Sequence, residues 1–178
     1  MTMLMLNIGC GDIYFDGWVN IDLESTKADL KHDLRTPLPY KNNSVDFIYN
    51  EHFIEHLTIQ ECMVVLSEFY RVLKPGGVLR ISTPDLNYLI FKYLFFWKRQ
   101  DWIKEYGYGW IKTRAEMLNI CFREWGHKYL YNKKELERRL REAGFKKIYR
   151  QRLNNSNFIE LINRETRKDS KLILETIK

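Results

Sequence analysis

Short apolar runs alternate with helix-like spacing over most of the chain, and this alternation predicts the fold. Apolar runs at residues 4–8, 18–21, 45–49 and 78–82 have the length of buried strands, and polar or turn-forming residues follow each of them. Apolar residues between 59 and 73 recur on one helical face, and Lys74-Pro75-Gly76-Gly77 then predicts a helix end and a turn. Strands that alternate with helices are typical of a mostly parallel sheet with both faces covered, so we expect an α/β fold.

The last third of the chain returns to the same pattern. Asn132 is a good cap for a helix over residues 133–143, with Leu136 and Leu140 facing inward and Gly144 ending it. Residues 145–153 predict a strand, and 154–170 form a polar connection. Residues 171–178 predict a last strand that pairs antiparallel with its neighbour.

Residues 86–131 interrupt this rhythm with a helical, aromatic segment. Between Tyr88 and Tyr131 lie 14 of the 26 aromatic residues, and residues 86–97 predict a helix that is apolar nearly all round. Three interpretations stay open: rings that pack on the sheet, a lid that closes an apolar pocket over a substrate, and a membrane-surface helix flanked by Lys92, Lys98 and Arg99. We expect an inserted helical cap or lid within a single domain that spans residues 1–178.

Length, cysteine usage and charge narrow the class of protein. The 178 residues contain no apolar run long enough to cross a membrane and no secretory signal, and three distant cysteines fit neither a disulfide framework nor zinc spacing. We therefore expect a cytoplasmic protein. Residues 1–90 carry 7 Lys/Arg and 12 Asp/Glu, a net charge of −5, whereas residues 91–178 carry 22 and 11, a net charge of +11. Solvated faces of amphipathic helices explain the basic half more simply than a nucleic-acid surface does.

Two neighbouring strand ends carry the first candidate site. Gly9-Cys10-Gly11 follows the first strand, where glycines let a ligand approach the backbone closely. Asp22 ends the second strand, where a carboxylate can accept hydrogen bonds from ribose hydroxyls. Alone, this pattern also fits a simple tight turn.

The order of further motifs resembles a class I S-adenosylmethionine-dependent methyltransferase of the type 11-like group. The matching pieces lie in residues 4–85 and 127–178: LNIGCG, NIDLE, HDL, SVDFIYNEHFIEHL, EFYRVLKPGGVLRISTPD and HKYLYNKKELERRLREAGFKKI. This resemblance implies a Rossmann-like, mostly parallel seven-stranded sheet with one antiparallel strand. It also implies S-adenosylmethionine as the cofactor and S-adenosylhomocysteine as the product.

The resemblance further implies which residues hold the cofactor. Gly9, Cys10 and Gly11 would line its amino-acid and ribose end, and Asp22 would bind the ribose hydroxyls. Asp33 and Leu34 would contact the adenine. The remaining two residues, which would lie beside the methionine part, are Asn50 and Glu51.

The chain departs from the family pattern between the first two strands. Residues 11–18 leave room for a turn, whereas a parallel crossover normally contains a dozen or more residues. One face of the sheet therefore needs another cover. We expect residues 155–170 or a second subunit to supply it, so a homodimer is one possibility.

Three histidines are candidates for a catalytic base: His52 and His56 after the fourth strand, and His127 before the last helix. His52-Phe53-Ile54-Glu55-His56 also spells H-x-x-E-H, a zinc-peptidase pattern, but the surrounding motifs argue against a peptidase. Some methyltransferases carry Glu-x-x-Glu-His here and bind a divalent metal; in this chain His52 replaces the first Glu. No metal ligand set is predicted, and metal dependence stays open.

The motifs also bear on the methyl acceptor. Asn50-Glu51-His52-Phe53 differs from the Pro-Pro-containing motif of enzymes that methylate base amino groups, and no cysteine follows a proline as in cytosine-C5 enzymes. We expect O-methylation of a small-molecule or glycan hydroxyl under a helical lid, with nucleic acid a less favoured partner. The alternatives are an RNA ribose methyltransferase and a non-catalytic protein that binds S-adenosylmethionine.

Overall fold

The computed structural model describes residues 3–178 and builds them around one sheet of seven strands. These are β1 (Met5–Ile8), β2 (Val19–Asp22), β3 (Leu30–Lys31), β4 (Val45–Glu51), β5 (Leu73–Thr83), β6 (Lys147–Arg150) and β7 (Leu172–Ile177). They lie in the order β3-β2-β1-β4-β5-β7-β6. Strands β1 to β5 pair in parallel, and β7 runs antiparallel to both of its neighbours. The predicted α/β fold with one antiparallel strand is confirmed.

Two helices cover one face of the sheet. Helix α1 (Ile59–Val72) begins with a capping box in which the side chains of Thr58 and Glu61 each bind the other residue's backbone N–H. Its buried face presents Cys62, Val65, Leu66, Phe69 and Val72 to the main core. Further along the chain, α5 (Lys133–Glu142) is capped by Asn132 and buries Leu136 and Leu140 in the same core.

The opposite face is covered by the segment between β6 and β7. Leu161, with Phe158 packed beside it, forms a second core with Phe15, Trp18 and Tyr49. Of the two covers expected for this face, residues 155–170 thus supply one, and a second subunit stays a prediction. The physical reason is that Phe15 and Trp18, in the short link from β1 to β2, are too few to bury that face alone.

The aromatic insertion has a core of its own. Helices α2 (Leu86–Phe95), α3 (Asp101–Glu105) and α4 (Arg114–Arg123) pack around Leu89, Trp102 and Met117. On the outer side of α2, the three phenylalanines Phe91, Phe95 and Phe96 remain exposed. Packing therefore accounts for part of the aromatic density, while the lid and membrane-surface interpretations stay predictions.

Element boundaries differ from the sequence prediction in several places. Strand β4 continues to Glu51, so Asn50 and Glu51 lie within the strand and not after it. Strand β5 begins at Leu73, because Leu73 already pairs with Val45 before a register shift. Helix α2 ends at Phe95, and residues 97–99 form a separate turn of 3₁₀-helix. Between residues 3 and 178, no helix combines the length and the apolar character needed to cross a membrane.

Candidate functional site

A cleft of about 760 Å³ opens at the carboxyl ends of β1, β2 and β4. Parallel sheets bind ligands at this edge, where the strand order reverses from one half of the sheet to the other. Seven of the eight predicted cofactor residues line the cleft: Gly9, Cys10, Gly11, Asp22, Asp33, Leu34 and Glu51. The sheet thus brings together residues that lie up to 42 positions apart in the sequence.

Asp22, at the end of β2, is hydrogen-bonded to the glycine turn that follows β1. Its Oδ2 accepts a hydrogen bond from the backbone N–H of Gly11 at 3.0 Å, and Oδ1 accepts from the N–H groups of Glu24 and Ser25 at 2.9 and 3.0 Å. Burial alone would raise the pKa of Asp22, but these backbone donors outweigh it and hold that pKa below its usual range. Asp22 is therefore an ionised acceptor at the cleft wall.

The glycine turn needs both of its glycines. Gly9 has φ +63°, and a Cβ there would lie 2.7 Å from Cδ2 of Phe53, too close for any side chain. Gly11 has φ +51° and open space where its Cβ would project. Between them, burial and the Asp22 charge raise the pKa of the Cys10 thiol to about 11, so that thiol stays protonated. This bare backbone cradle beside an ionised carboxylate fits an adenosine cofactor.

The far end of the cleft carries Asp33 and Leu34. The Asp33 carboxylate binds the Arg35 guanidinium through two contacts of 2.8 Å, and this side chain with the backbone N–H of Arg35 lowers the pKa of Asp33 to about 2. Arg35 also reaches Glu61 on α1 at 3.4 Å. The predicted adenine end is therefore a fixed, charged rim.

At the end of β4, Glu51 is bound to the segment that replaces the missing helix. Its carboxylate accepts hydrogen bonds from the N–H and hydroxyl of Thr166, from the N–H of Arg167 and from the hydroxyl of Ser170, at 2.7–3.2 Å. Residues 164–170, called the strap below, are thereby held against the cleft. Glu51 acts on the strap in this structure, whatever it also contacts when the cofactor is bound.

A buried ion pair lies beside this contact. His52, in the left-handed backbone region at φ +49°, places Nδ1 3.1 Å from Oε1 of the fully buried Glu55. Burial would lower the pKa of His52, but the facing Glu55 carboxylate outweighs it and raises that pKa. Burial correspondingly favours neutral Glu55, yet the His52 ring keeps its pKa lowered. Both pKa shifts, upward for His52 and downward for Glu55, favour the charged form of this pair.

The pKa of His127 shifts in the opposite direction to that of His52. Its Nδ1 lies 2.8 Å from the carbonyl oxygen of Cys121, and a carbonyl can only accept, so Nδ1 carries the proton and Nε2 has a free lone pair. Burial lowers the pKa of His127 more than the Cys121 hydrogen bond raises it. His127 is therefore a neutral imidazole with one available basic nitrogen.

A second cavity of about 570 Å³ adjoins the cleft and contains this histidine. It shares Ile13, His52, His56 and Arg167 with the cleft. Its other walls include the rings of Tyr106, Trp125 and His127. The arrangement can hold a second molecule next to the amino-acid end of a bound cofactor.

One side-chain cluster has the composition of a metal site. Ligand atoms of Glu55, His56 and His127 all lie within 4.8 Å of one another, so these residues could hold a divalent ion. The peptidase pattern itself does not form, because residues 54–56 are a single turn of 3₁₀-helix. His52 faces Glu55 and Ser170, whereas the His56 ring faces that of His127 at 5.1 Å.

Comparison with known proteins shows which class of domain the chain resembles. The family model described as a methyltransferase domain matches residues 18–81. A probable S-adenosylmethionine-dependent methyltransferase of Mycolicibacterium smegmatis is 44% identical over 33% of this chain and 22% of its own length. A demethylmenaquinone methyltransferase of Oceanobacillus iheyensis is 30% identical over 71% of this chain and 52% of its own length. The solved structure of an S-adenosylmethionine-dependent methyltransferase from Archaeoglobus fulgidus has a TM-score of 0.61, with 15% identity over 99% of this chain and 86% of that one.

These similarities support a class I S-adenosylmethionine-dependent methyltransferase domain in this chain. The resemblance read from the motifs is confirmed, and so is S-adenosylmethionine as the cofactor of the family. The chain spans about half or less of the length of the curated relatives described above.

In this methyltransferase domain, one predicted residue lies away from the cleft. Asn50 is fully buried, and its amide lies 3.5 Å from the carbonyl oxygen of Arg80. Alternate residues of a strand face opposite sides, so Tyr49 and Glu51 line the cleft and Asn50 does not. The cofactor role predicted for Asn50 is therefore not retained.

The sequence analysis does not name two residues that lie at the site. Phe53 packs beneath Gly9, and Arg167 lines both the cleft and the adjoining cavity. The position of Phe53 just after the fourth strand could have indicated that it lies at the site. Nothing in the sequence indicates this for Arg167, because it lies in a segment whose composition predicts only a polar connection.

Proposed function

We propose that this domain transfers a methyl group from S-adenosylmethionine to a hydroxyl of a small molecule or glycan bound in the adjoining cavity. The observation that carries the proposal is the neutral His127 in a cavity that opens onto the cofactor cleft. When bound, the cofactor supplies a methyl group that its sulfonium already activates. The protein's task is to align the acceptor and to remove its proton.

Glycine backbone and carboxylate would hold the cofactor. Gly9 and Gly11 would line it with backbone atoms alone, and Asp22 would accept from a ribose hydroxyl. Asp33 and Leu34 would border the adenine. These roles follow from the match between this cleft and the motif order of the family.

His127 is the best supported of the three candidate bases. Both ring nitrogens of His52 already have partners, because Nδ1 lies 3.1 Å from Glu55 and Nε2 lies 3.1 Å from the Ser170 hydroxyl. At His127, Nε2 can accept the hydroxyl proton while Nδ1 remains bound to the Cys121 carbonyl. With the cofactor bound, that oxygen would take the methyl group in exchange for its proton, and His127 would hold the released proton on Nε2.

The experiment is a methyl-transfer screen with radiolabelled S-adenosylmethionine against phenols, sugars, glycans, quinols and RNA. Changing His127→Gln should lower kcat by about 100-fold or more, since general base catalysis contributes 10²–10⁴. The affinity for S-adenosylhomocysteine should change by less than about twofold. Glu124→Gln, an exposed neighbour outside both cavities, is the matched control. An unchanged kcat in His127→Gln would reject the base assignment.

The screen also separates the alternatives. Transfer to RNA alone would favour a ribose methyltransferase, and cofactor binding without transfer to any acceptor would favour a non-catalytic binding protein.

A quinol ring is a second candidate acceptor. The name of the Oceanobacillus iheyensis relative specifies demethylmenaquinone. In this chain the adjoining cavity of about 570 Å³ is bordered by the rings of Tyr106, Trp125 and His127, and aromatic walls of this kind suit a planar ring. Preferential transfer to quinols over sugars and phenols in the same screen would favour this acceptor.

A further inference from the structure

The strap (residues 164–170) is fixed at the cleft from two sides. Glu51 binds the N–H groups of Thr166 and Arg167 and the hydroxyl of Ser170. On the other side, Glu165 pairs at 2.6 Å with the fully buried Arg80 of β5. Two separate strands of the sheet therefore determine where residues 165–170 lie.

The strap also meets the shortened link between β1 and β2. The Arg164 guanidinium lies over the rings of Phe15 and Trp18, at 4.7 and 5.2 Å from their centroids. Such contacts between a guanidinium and aromatic faces are attractive. The strap therefore occupies the side of the cleft that a full first crossover helix would otherwise border.

Three Lys and Arg side chains line the cleft, and two of them already have carboxylate partners. Arg35 pairs with Asp33 at 2.8 Å, and Lys128 pairs with Glu61 at 3.2 Å. For Arg167, no ion pair within 4.0 Å is found among residues 3–178. Arg167 is thus the cleft cation whose charge is free to receive an anionic group.

The position of Arg167 along the cleft limits which anionic group it can bind. Asp33 and Arg35 mark the predicted adenine end, and Asp22 with Gly11 marks the ribose. Arg167 lies where the cleft meets the adjoining cavity, together with Ile13, His52 and His56. This is the end at which the amino-acid part of the cofactor would lie.

We propose that Arg167 binds the α-carboxylate of the cofactor's amino-acid part from the strap, on the side of the cleft that the short first crossover leaves open. The proposal rests on the proposed binding of S-adenosylmethionine in this cleft. A guanidinium can bind a carboxylate through two parallel hydrogen bonds, which a lysine cannot reproduce. Arg167 is accordingly a cofactor-specificity residue.

Two ligands that differ in this carboxylate provide the test. S-adenosylhomocysteine carries the amino-acid part, whereas 5′-methylthioadenosine keeps the adenosine and the sulfur but lacks that part. Isothermal titration of both ligands into Arg167→Gln should show S-adenosylhomocysteine bound about 10- to 100-fold more weakly than by the wild type, the loss expected for a charge-assisted hydrogen bond. The affinity for 5′-methylthioadenosine should stay within about twofold.

Two further variants provide the controls. Lys168→Gln removes the same charge from the neighbouring, exposed strap position, and should leave both affinities unchanged. Arg167→Lys keeps the charge but loses the planar fork, so it should bind S-adenosylhomocysteine with intermediate affinity. It also tests the proposal if Arg167→Gln folds poorly.

Two results would overturn the proposal: unchanged affinity for S-adenosylhomocysteine, or an equal loss for both ligands, which would mean that Arg167 supports the strap alone. Failure of the proposed function looks different: without cofactor binding the wild type would bind neither ligand, and without methyl transfer alone both wild-type affinities would remain. An anionic acceptor as the partner of Arg167 would also leave S-adenosylhomocysteine binding intact in Arg167→Gln.

Discussion

Replacing the carboxylate of Asp22 by its isosteric amide should weaken cofactor binding by a predictable amount. A carboxylate has about four lone-pair positions, and three at Asp22 already accept the N–H groups of Gly11, Glu24 and Ser25. One position, on Oδ2, remains for a ribose hydroxyl. Asp22→Asn removes that charged acceptor and turns an NH₂ group toward either the cofactor or the N–H of Gly11.

The magnitude follows from that single bond. A hydrogen bond to a charged group contributes about 1.5–3 kcal/mol, and each 1.4 kcal/mol is a factor of ten in affinity. We therefore expect S-adenosylhomocysteine to bind Asp22→Asn about 10- to 100-fold more weakly, as measured by isothermal titration at constant pH. Because the Asp22 pKa lies below its usual range, the wild-type affinity should hold as the pH falls through the ordinary aspartate range.

Asp16→Asn is the matched control, since it removes the same charge from an exposed position that does not line the cleft. It should leave the affinity within about twofold of the wild type. An Asp22→Asn protein that unfolds at the wild-type denaturant concentration, yet binds S-adenosylhomocysteine equally well, would refute the role of this carboxylate.

Three further predictions concern the base, the glycine turn and the core. The lowered His127 pKa means that kcat/KM should stay level below neutral pH and fall as protonation of His127 begins, a fall that His127→Gln should abolish in a pH-rate profile. Gly9→Ala should lower the free energy of unfolding in urea by about 2 kcal/mol or more, because left-handed backbone strain adds to the clash with Phe53. Gly11→Ala has open space for its Cβ and should lower it by about 1–2 kcal/mol through backbone strain alone. Arg80→Met should lower the free energy of unfolding by about 3–5 kcal/mol in the same assay, because it leaves two buried carboxylates unpaired. The control Arg152→Met, at an exposed position, should leave the free energy of unfolding almost unchanged.

The sequence predicts the sheet and its ligand edge because both depend on local patterns. Apolar runs that end in Gly9 or Asp22 place those residues at strand ends, and parallel pairing then brings the ends together. The position of Asn50 has a local cause as well. Because β4 extends to Glu51, strict alternation turns Asn50 away from the cleft, whereas the apolar run in the sequence stops at Tyr49.

Other contacts could not be predicted because their partners are distant in the sequence and have no pattern of their own. Glu51 binds Thr166 across 115 positions, and Arg80 reaches Glu165 across 85. Arg80 in particular occupies a strand position where an apolar residue is the ordinary expectation. Its burial becomes intelligible once Glu165 and Glu175 are seen beside it.

The same two contacts explain how a chain with so short a first crossover keeps an enclosed site. An unpaired Arg80 would be costly in the core, so β5 cannot reach its native state without the carboxylates of the strap and of β7. Pairing them draws Phe158 and Leu161 onto the bare face of the sheet and carries residues 166–170 to Glu51 at the cleft. The cover of the cofactor site is thereby tied to the stability of the sheet itself, and the cleft should be complete only when the C-terminal segment has folded onto β4 and β5.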